Sequence, residues 1–164
     1  MTAHPLIPQP LYNDILASVP IACVDIALVH RGRILLVKRN DPPARDEWWV
    51  PGGRVLKGEM MADTARRKAR DEVGIDVHVG PIVHTAETIF PDGPSGIPVH
   101  SINSCFFVYP AQEECEPVLD SHHAGARWVD RVEEGLHPYV KRCLLGAGLA
   151  EQAGGGGCPQ RHVF

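Results

Sequence analysis

No stretch of this chain is long and apolar enough to cross a bilayer: the longest apolar run, Val19 to Val29, is short and is broken by Asp25. No basic segment leading into an apolar one opens the chain, so a secretory leader is not expected and a cytoplasmic location is. Cysteine supplies no framework either. The five cysteines (Cys23, Cys105, Cys115, Cys143, Cys158) are odd in number and scattered, and none stands in a CxxC or Cys/His zinc pattern, which points to reduced thiols. Basic charge is not in excess: 16 Lys and Arg face 20 Asp and Glu, a formal net charge of −4. That balance argues against nucleic acid held by a basic surface, and neither nucleic acid nor a membrane is expected as a partner. It also means that an anionic substrate must be captured by a local cluster of arginines or by a metal ion. There is no internal repeat.

What is present suits one domain with a hydrophobic core, since 164 residues at 44% apolar and 22% charged composition is ordinary for a globular protein. That domain is expected over residues 1–150, and the tail 151–164, with four consecutive glycines, is expected to be disordered. Leu11, Ile15 and Val19 stand at helical spacing and predict a short amphipathic helix. Pro20 releases an extended run from Ile21 to Val29, and residues 30–33 turn it into Ile34–Val37. Both runs are apolar on both faces, as strands inside a sheet covered on each side should be. Residues 41–46 read as a loop. Strands are expected over 76–88 and 100–109, separated by a Pro/Gly-rich loop at 91–98. A loop carries His122 and His123, Arg127–Val129 is a short strand, and Pro138 opens a last helix with Val140, Cys143 and Leu144 on one face.

The densest chemistry lies between Gly53 and Ile75, in the run GRVLKGEMMADTARRKARDEVGI. Its helix is expected from about Met60 to Val73, ending at Gly74, with Ala62, Ala69 and Val73 packed on the sheet. Lys68 with Glu72, and Arg67 with Asp71, stand four apart and make two ion pairs. Gly52 and Gly53 let backbone approach a ligand closely. Asp71 and Glu72 sit at the helix's C-terminal, partly negative end, where carboxylates call for a compensating positive charge such as Mg²⁺.

This run resembles the Nudix box, G-x5-E-x7-R-E-U-x-E-E-x-G-U, where U is bulky and apolar. Gly53, Glu59, Arg67, Glu72, Gly74 and Ile75 stand at the family's offsets. Asp71 replaces one glutamate, and Lys68 stands where the family has its first glutamate. The resemblance implies an α/β fold, a Nudix-type α/β/α sandwich with a mixed β-sheet. Within the family the chain resembles the GDP-mannose mannosyl hydrolases over most of residues 11–145. The shared segments are residues 19–25, Leu36–Arg39, Trp48–Val55, Ser95–Gly96 and Asp120–Trp128. That branch also lacks the first glutamate, and it attacks the sugar C1 rather than phosphorus.

Carried over position by position, the resemblance implies that His123 is the general base and that Arg39 stabilises the departing diphosphate. Asp25, Lys38, Arg54 and Arg67 form the substrate-binding set. Gly52 (through its carbonyl), Glu72, residue 122 and Asp71 form the metal set. The family's glutamine at position 122 is His122 here, which suits Mn²⁺ better than Mg²⁺. A tyrosine expected near residue 103 is Asn103. The reading is a metal-dependent hydrolase that converts GDP-mannose to GDP and mannose, with a nucleotide-sugar partner and a homodimer as the resemblance suggests. The alternatives are a conventional Nudix pyrophosphatase that cleaves a P–O–P bond, and a nucleotide-sugar-binding module without catalysis.

Overall fold

Alternation along two long strands sets the architecture. In β1 (Ile21–His30), Val24, Ile26 and Leu28 point to one face, while Asp25 and Ala27 point to the other. In β2 (Arg33–Arg39), Leu35 and Val37 join the first face, and Ile34 and Leu36 the second. Both strands are therefore apolar on both sides, and each face is covered by a helix. The computed structural model describes residues 6–152.

The remaining elements are α1 (Gln9–Ser18), β3 (Trp48–Trp49), β4 (Gly52–Arg54), α2 (Met61–Val73), β5 (Val77–Phe90), β6 (Val99–Pro110), β7 (His123–Val129) and α3 (Pro138–Gly146). The strands form a mixed sheet in the order β3-β2-β1-β6-β5, with β4 added to β1 and β7 to β2. Among the named strands of the described residues, β1 and β6 run parallel and the other pairs are antiparallel. α2 covers one face through Ala65, Ala69 and Val73, and α3 covers the other through Val140, Cys143 and Leu144. The result is the α/β/α sandwich with a mixed sheet that was expected.

Several local expectations need correction. Ala65 rather than Ala62 completes the small-residue face of α2, because positions 65, 69 and 73 fall on one stripe and Ala62 lies at its margin. In α1, Tyr12, Ile15 and Leu16 face inward, while Leu11 and, just past the helix end, Val19 are exposed. The glycine-rich approach to α2 is itself a strand, β4, paired through Cys23–Arg54, Val24–Gly53 and Asp25–Gly52. His123 begins β7 instead of lying in the preceding loop. Within the 91–98 loop, Pro94–Gly96 makes one 3₁₀ turn. Of the expected tail, Glu151 bridges to Val132, and residues 153–164 lie outside the described residues.

Candidate active site

β1 pairs with β4 along its first half and with β2 only at its last residues, Val29 and His30. The two pairings splay the sheet, and a cavity of about 380 Å³ opens in the gap. Of the residues singled out from sequence, Asp25, Arg39, Gly52, Arg54, Glu72, His122 and His123 line it, whereas Lys38, Arg67 and Asp71 do not.

Glu72 stands in the last turn of α2, and its carboxylate turns in toward β4. Oε2 accepts the Gly52 N–H at 3.0 Å, and Oε1 meets the Lys68 ammonium at 2.6 Å. The His123 Nε2 lies 3.8 Å from Oε2. A carboxylate at the negative end of a helix needs a positive neighbour, and Lys68, one turn back on α2, supplies it. Gly52 has to be glycine: a Cβ there would come within 2.1 Å of the Asp25 Oδ1 and 2.5 Å of the Val24 carbonyl oxygen. Gly74 has φ of 68° and ends α2 in the left-handed conformation that glycine adopts at least cost.

His123 is fixed from the other side. Its side chain is 5% exposed, and Nδ1 lies 2.7 Å from the Asp120 Oδ1. An ionised carboxylate can only accept, so Nδ1 carries the hydrogen and Nε2 is left to face Glu72 and the cavity. A bulge between Lys38 and Arg39 in the β2–β7 ladder sets Arg39 directly opposite His123.

Two arginines bring unspent positive charge to the cavity. Arg39 Nε donates to the Pro43 carbonyl, and Arg54 lies over the Tyr12 ring at 5.0 Å. Neither has a carboxylate partner within ion-pair distance among the described residues. Arg67, in contrast, is occupied. It holds Glu59 through Nε and Nη2 and also donates to the Arg54 carbonyl, and Asp71 lies 3.9 Å away.

Asp25 is buried on the α3 side of β1 and accepts a 2.7 Å hydrogen bond from the Tyr139 hydroxyl. Burial pushes its carboxyl up to about 7, against the Tyr139 hydrogen bond and with Glu72 adding to the rise. The Arg67 hydrogen bonds draw Glu59 down to about 2. His122 sits at the mouth, bonded to Asp41 at 2.6 Å, and that bond raises its pKa.

Away from these charges the cavity is lined by Leu16, Ile21 and Val99, with the buried Thr88, Ser101 and Asn103 as polar floor. Asn103 Nδ2 donates to the Thr88 hydroxyl and the Ala86 carbonyl, which leaves its Oδ1 as an acceptor. Cys23 packs against the Leu16, Ile21 and Val99 cluster and also lines the cavity, and burial pushes its thiol up to about 12. Trp49 joins both core and cavity wall, while Trp48 lies outside the cavity with Arg127 4.6 Å from its ring.

A model of the Nudix domain matches residues 20–142. The chain belongs to the Nudix family. The low-salt glycan biosynthesis protein Agl8 of Haloferax volcanii is 36% identical to this Nudix protein over 142 residues, 84% of this chain and 88% of the relative. Among solved structures, a MutT Nudix hydrolase from Burkholderia pseudomallei matches with a TM-score of 0.66 at 23% identity, over 79% of this chain and 98% of that one. A MutT protein from Methanosarcina mazei gives 0.65 at 21% identity, over 78% and 93%. These two likenesses concern the fold. The protein is a Nudix hydrolase, from a family that acts on nucleotide derivatives. No helix among the described residues is long and apolar enough to cross a membrane.

Nudix hydrolases generally use divalent cations such as Mg²⁺. The chemistry of Glu72 and the Gly52 carbonyl, both hard oxygen donors, suits such an ion. The arrangement does not. Asp71 is 55% exposed beside Arg67, and His122 is 70% exposed and held by Asp41. Among the described residues no three His, Cys, Asp or Glu side chains converge on one position. The cation lying against Glu72 is the Lys68 ammonium.

Lys68 stands beside Glu72 as its spacing predicted, whereas the roles of Asp120 and Tyr139 were not read from the sequence. Asp120 stood three before His123 and could have been read as its partner. Tyr139 lies 114 positions from Asp25, and nothing local signals that pairing.

Proposed function

We propose that this Nudix hydrolase cleaves nucleoside diphosphate sugars, GDP-mannose first among them, releasing GDP and mannose by attack of water on the sugar C1. The observation that carries this reading is the Asp120–His123 pair, which presents a buried imidazole Nε2 beside Glu72 in a cavity that also holds Arg39 and Arg54. A relative named for glycan biosynthesis supports an activated sugar as substrate.

In the mechanism, Nε2 accepts a proton from water as the water oxygen bonds to C1 with inversion. The C1–O bond breaks, and its electron pair leaves with the diphosphate. Arg39 and Arg54 meet the negative charge that develops there, through guanidinium forks that match phosphate oxygens. Asp120 and Glu72, on either side of the ring, favour the imidazolium while it exists. Asp25 and the floor around Asn103 hold the rest of the substrate. The protein is proposed to work as a single domain and a homodimer in the cytoplasm.

Incubation with GDP-mannose in ¹⁸O-water tests the reaction. The expected products are unlabelled GDP and mannose labelled at C1. GMP with mannose 1-phosphate would instead establish attack at phosphorus, the conventional reaction of the family. Tight binding without turnover would establish a binding module. His123→Ala is expected to lower kcat by about 10²–10⁴-fold, and an unchanged rate would remove the base role.

A further inference from the structure

The position that departs most from the family pattern is also the one that fills the site. Lys68 replaces an acidic residue, so the departure reverses a charge. Its side chain is 18% exposed, and that of Glu72 only 7%. The ammonium lies 2.6 Å from Glu72 Oε1, and the side chain crosses directly over β4: a Cβ on Gly53 would stand 2.8 Å from Lys68 Cε and 3.0 Å from Nζ. The lysine is thus seated in the space between the glycine backbone and the Glu72 carboxylate. Glu72 is also fully engaged, with Lys68 on one oxygen and the Gly52 N–H and His123 on the other.

From this we infer that Lys68 is a tethered cation that holds the divalent-ion seat in the free protein, so a metal ion can enter only by displacing Lys68 from Glu72. A divalent ion at Glu72 would face a unit positive charge a few ångströms away, and Asp71, the neighbouring carboxylate on α2, points out beside Arg67 and does not offset it. Release of Lys68 needs another anion to receive it. A diphosphate lying between Arg39 and Arg54 is an anion of that kind, because Lys68 lines the same cavity. Metal binding and diphosphate binding then favour one another, with the ammonium moving from Glu72 to phosphate oxygens. The inference holds for attack at carbon and at phosphorus alike, so its failure would leave the proposed reaction standing.

Mn²⁺ binding to the full-length protein tests it, measured by the electron paramagnetic resonance signal of the free ion. The free wild-type protein is expected to bind Mn²⁺ at least about tenfold more weakly than Lys68→Gln, and Lys68→Arg is expected to stay weak because it keeps the charge. In EDTA, GDP is expected to bind the wild type and to bind Lys68→Gln about tenfold less tightly. Equal Mn²⁺ affinity of wild type and Lys68→Gln would overturn the inference. So would tight one-to-one Mn²⁺ binding by the free wild-type protein, a result that does not depend on any variant folding.

Discussion

His123 is oriented by a residue that lies outside the cavity lining. Asp120 fixes the ring so that Nδ1 carries the hydrogen and Nε2 does not have to. Asp120→Asn keeps the size but allows the amide to turn its donor toward Nδ1, which favours the other tautomer. The expected result is a kcat lower by about 10–10³-fold with KM little changed. In the double variant with His123→Ala, no further loss should follow. A change in KM with kcat intact would assign Asp120 to binding instead. The same closeness of neighbours explains why Asp25 tolerates burial. Its Oδ2 accepts from Tyr139, and its Oδ1 lies against the backbone of Gly52, the position that a side chain would block.

Helix α2 is anchored at its start without a conventional cap. The residue before it, Met60, offers no side-chain acceptor; Glu59 instead accepts from the Leu56 N–H, the Thr64 hydroxyl and Arg67. One carboxylate ties the approaching turn, the first turn of the helix and a residue two turns along. Arg67 then carries the tie on to the Arg54 carbonyl in β4. The direction of the pH effect follows from Glu59's depressed value, about 2 against an ordinary 4.5. A lowered carboxyl contributes its stability above the ordinary value and loses it as pH falls toward the depressed one. Glu59→Gln should therefore cost on the order of 2 kcal/mol at pH 7, and the difference from wild type should vanish between about pH 4.5 and pH 2. Urea unfolding across that range measures it, and a pH-independent difference would show that the ionised form is not what stabilises. α2 itself was legible in the sequence because its apolar stripe repeats at helical spacing and Gly74 ends it. β4 was not, since two glycines carry no strand signal, and its pairing is decided by β1 across the sheet. The inward turn of α1 toward Leu16 was likewise hidden, because Leu11 and Val19 fit the same periodicity as Ile15.

The sandwich was readable from the doubly apolar β1 and β2, and the family from the box at 53–75, but the cavity was not. It exists because β1 parts company with β2 after two paired positions and takes β4 instead, a choice made by pairing across the chain. Its walls come from α1, β1, the end of β2, the 41–44 loop, β3, β4, α2, the end of β5, β6 and the start of β7. Residues as distant as Tyr12, Ala44, Asn103 and His123 therefore line one cavity. That arrangement predicts a pattern of protection no single segment could give. With His123→Ala to stop turnover, GDP-mannose should slow amide hydrogen exchange together in α1, in residues 41–46 and at the β6 end that carries Ser101 and Asn103. The described residues outside the cavity, such as the surface of α3, should change little. Ligand at about a hundred times its Kd adds about 2.7 kcal/mol, which for a chain of this size raises Tm by roughly 5–10 °C. Protection limited to β4 and α2 would mean that only the diphosphate is held and that the Leu16–Val99 end recognises nothing. Protection of both ends by GDP alone would place the base there and leave the sugar beside His123, where attack on C1 requires it.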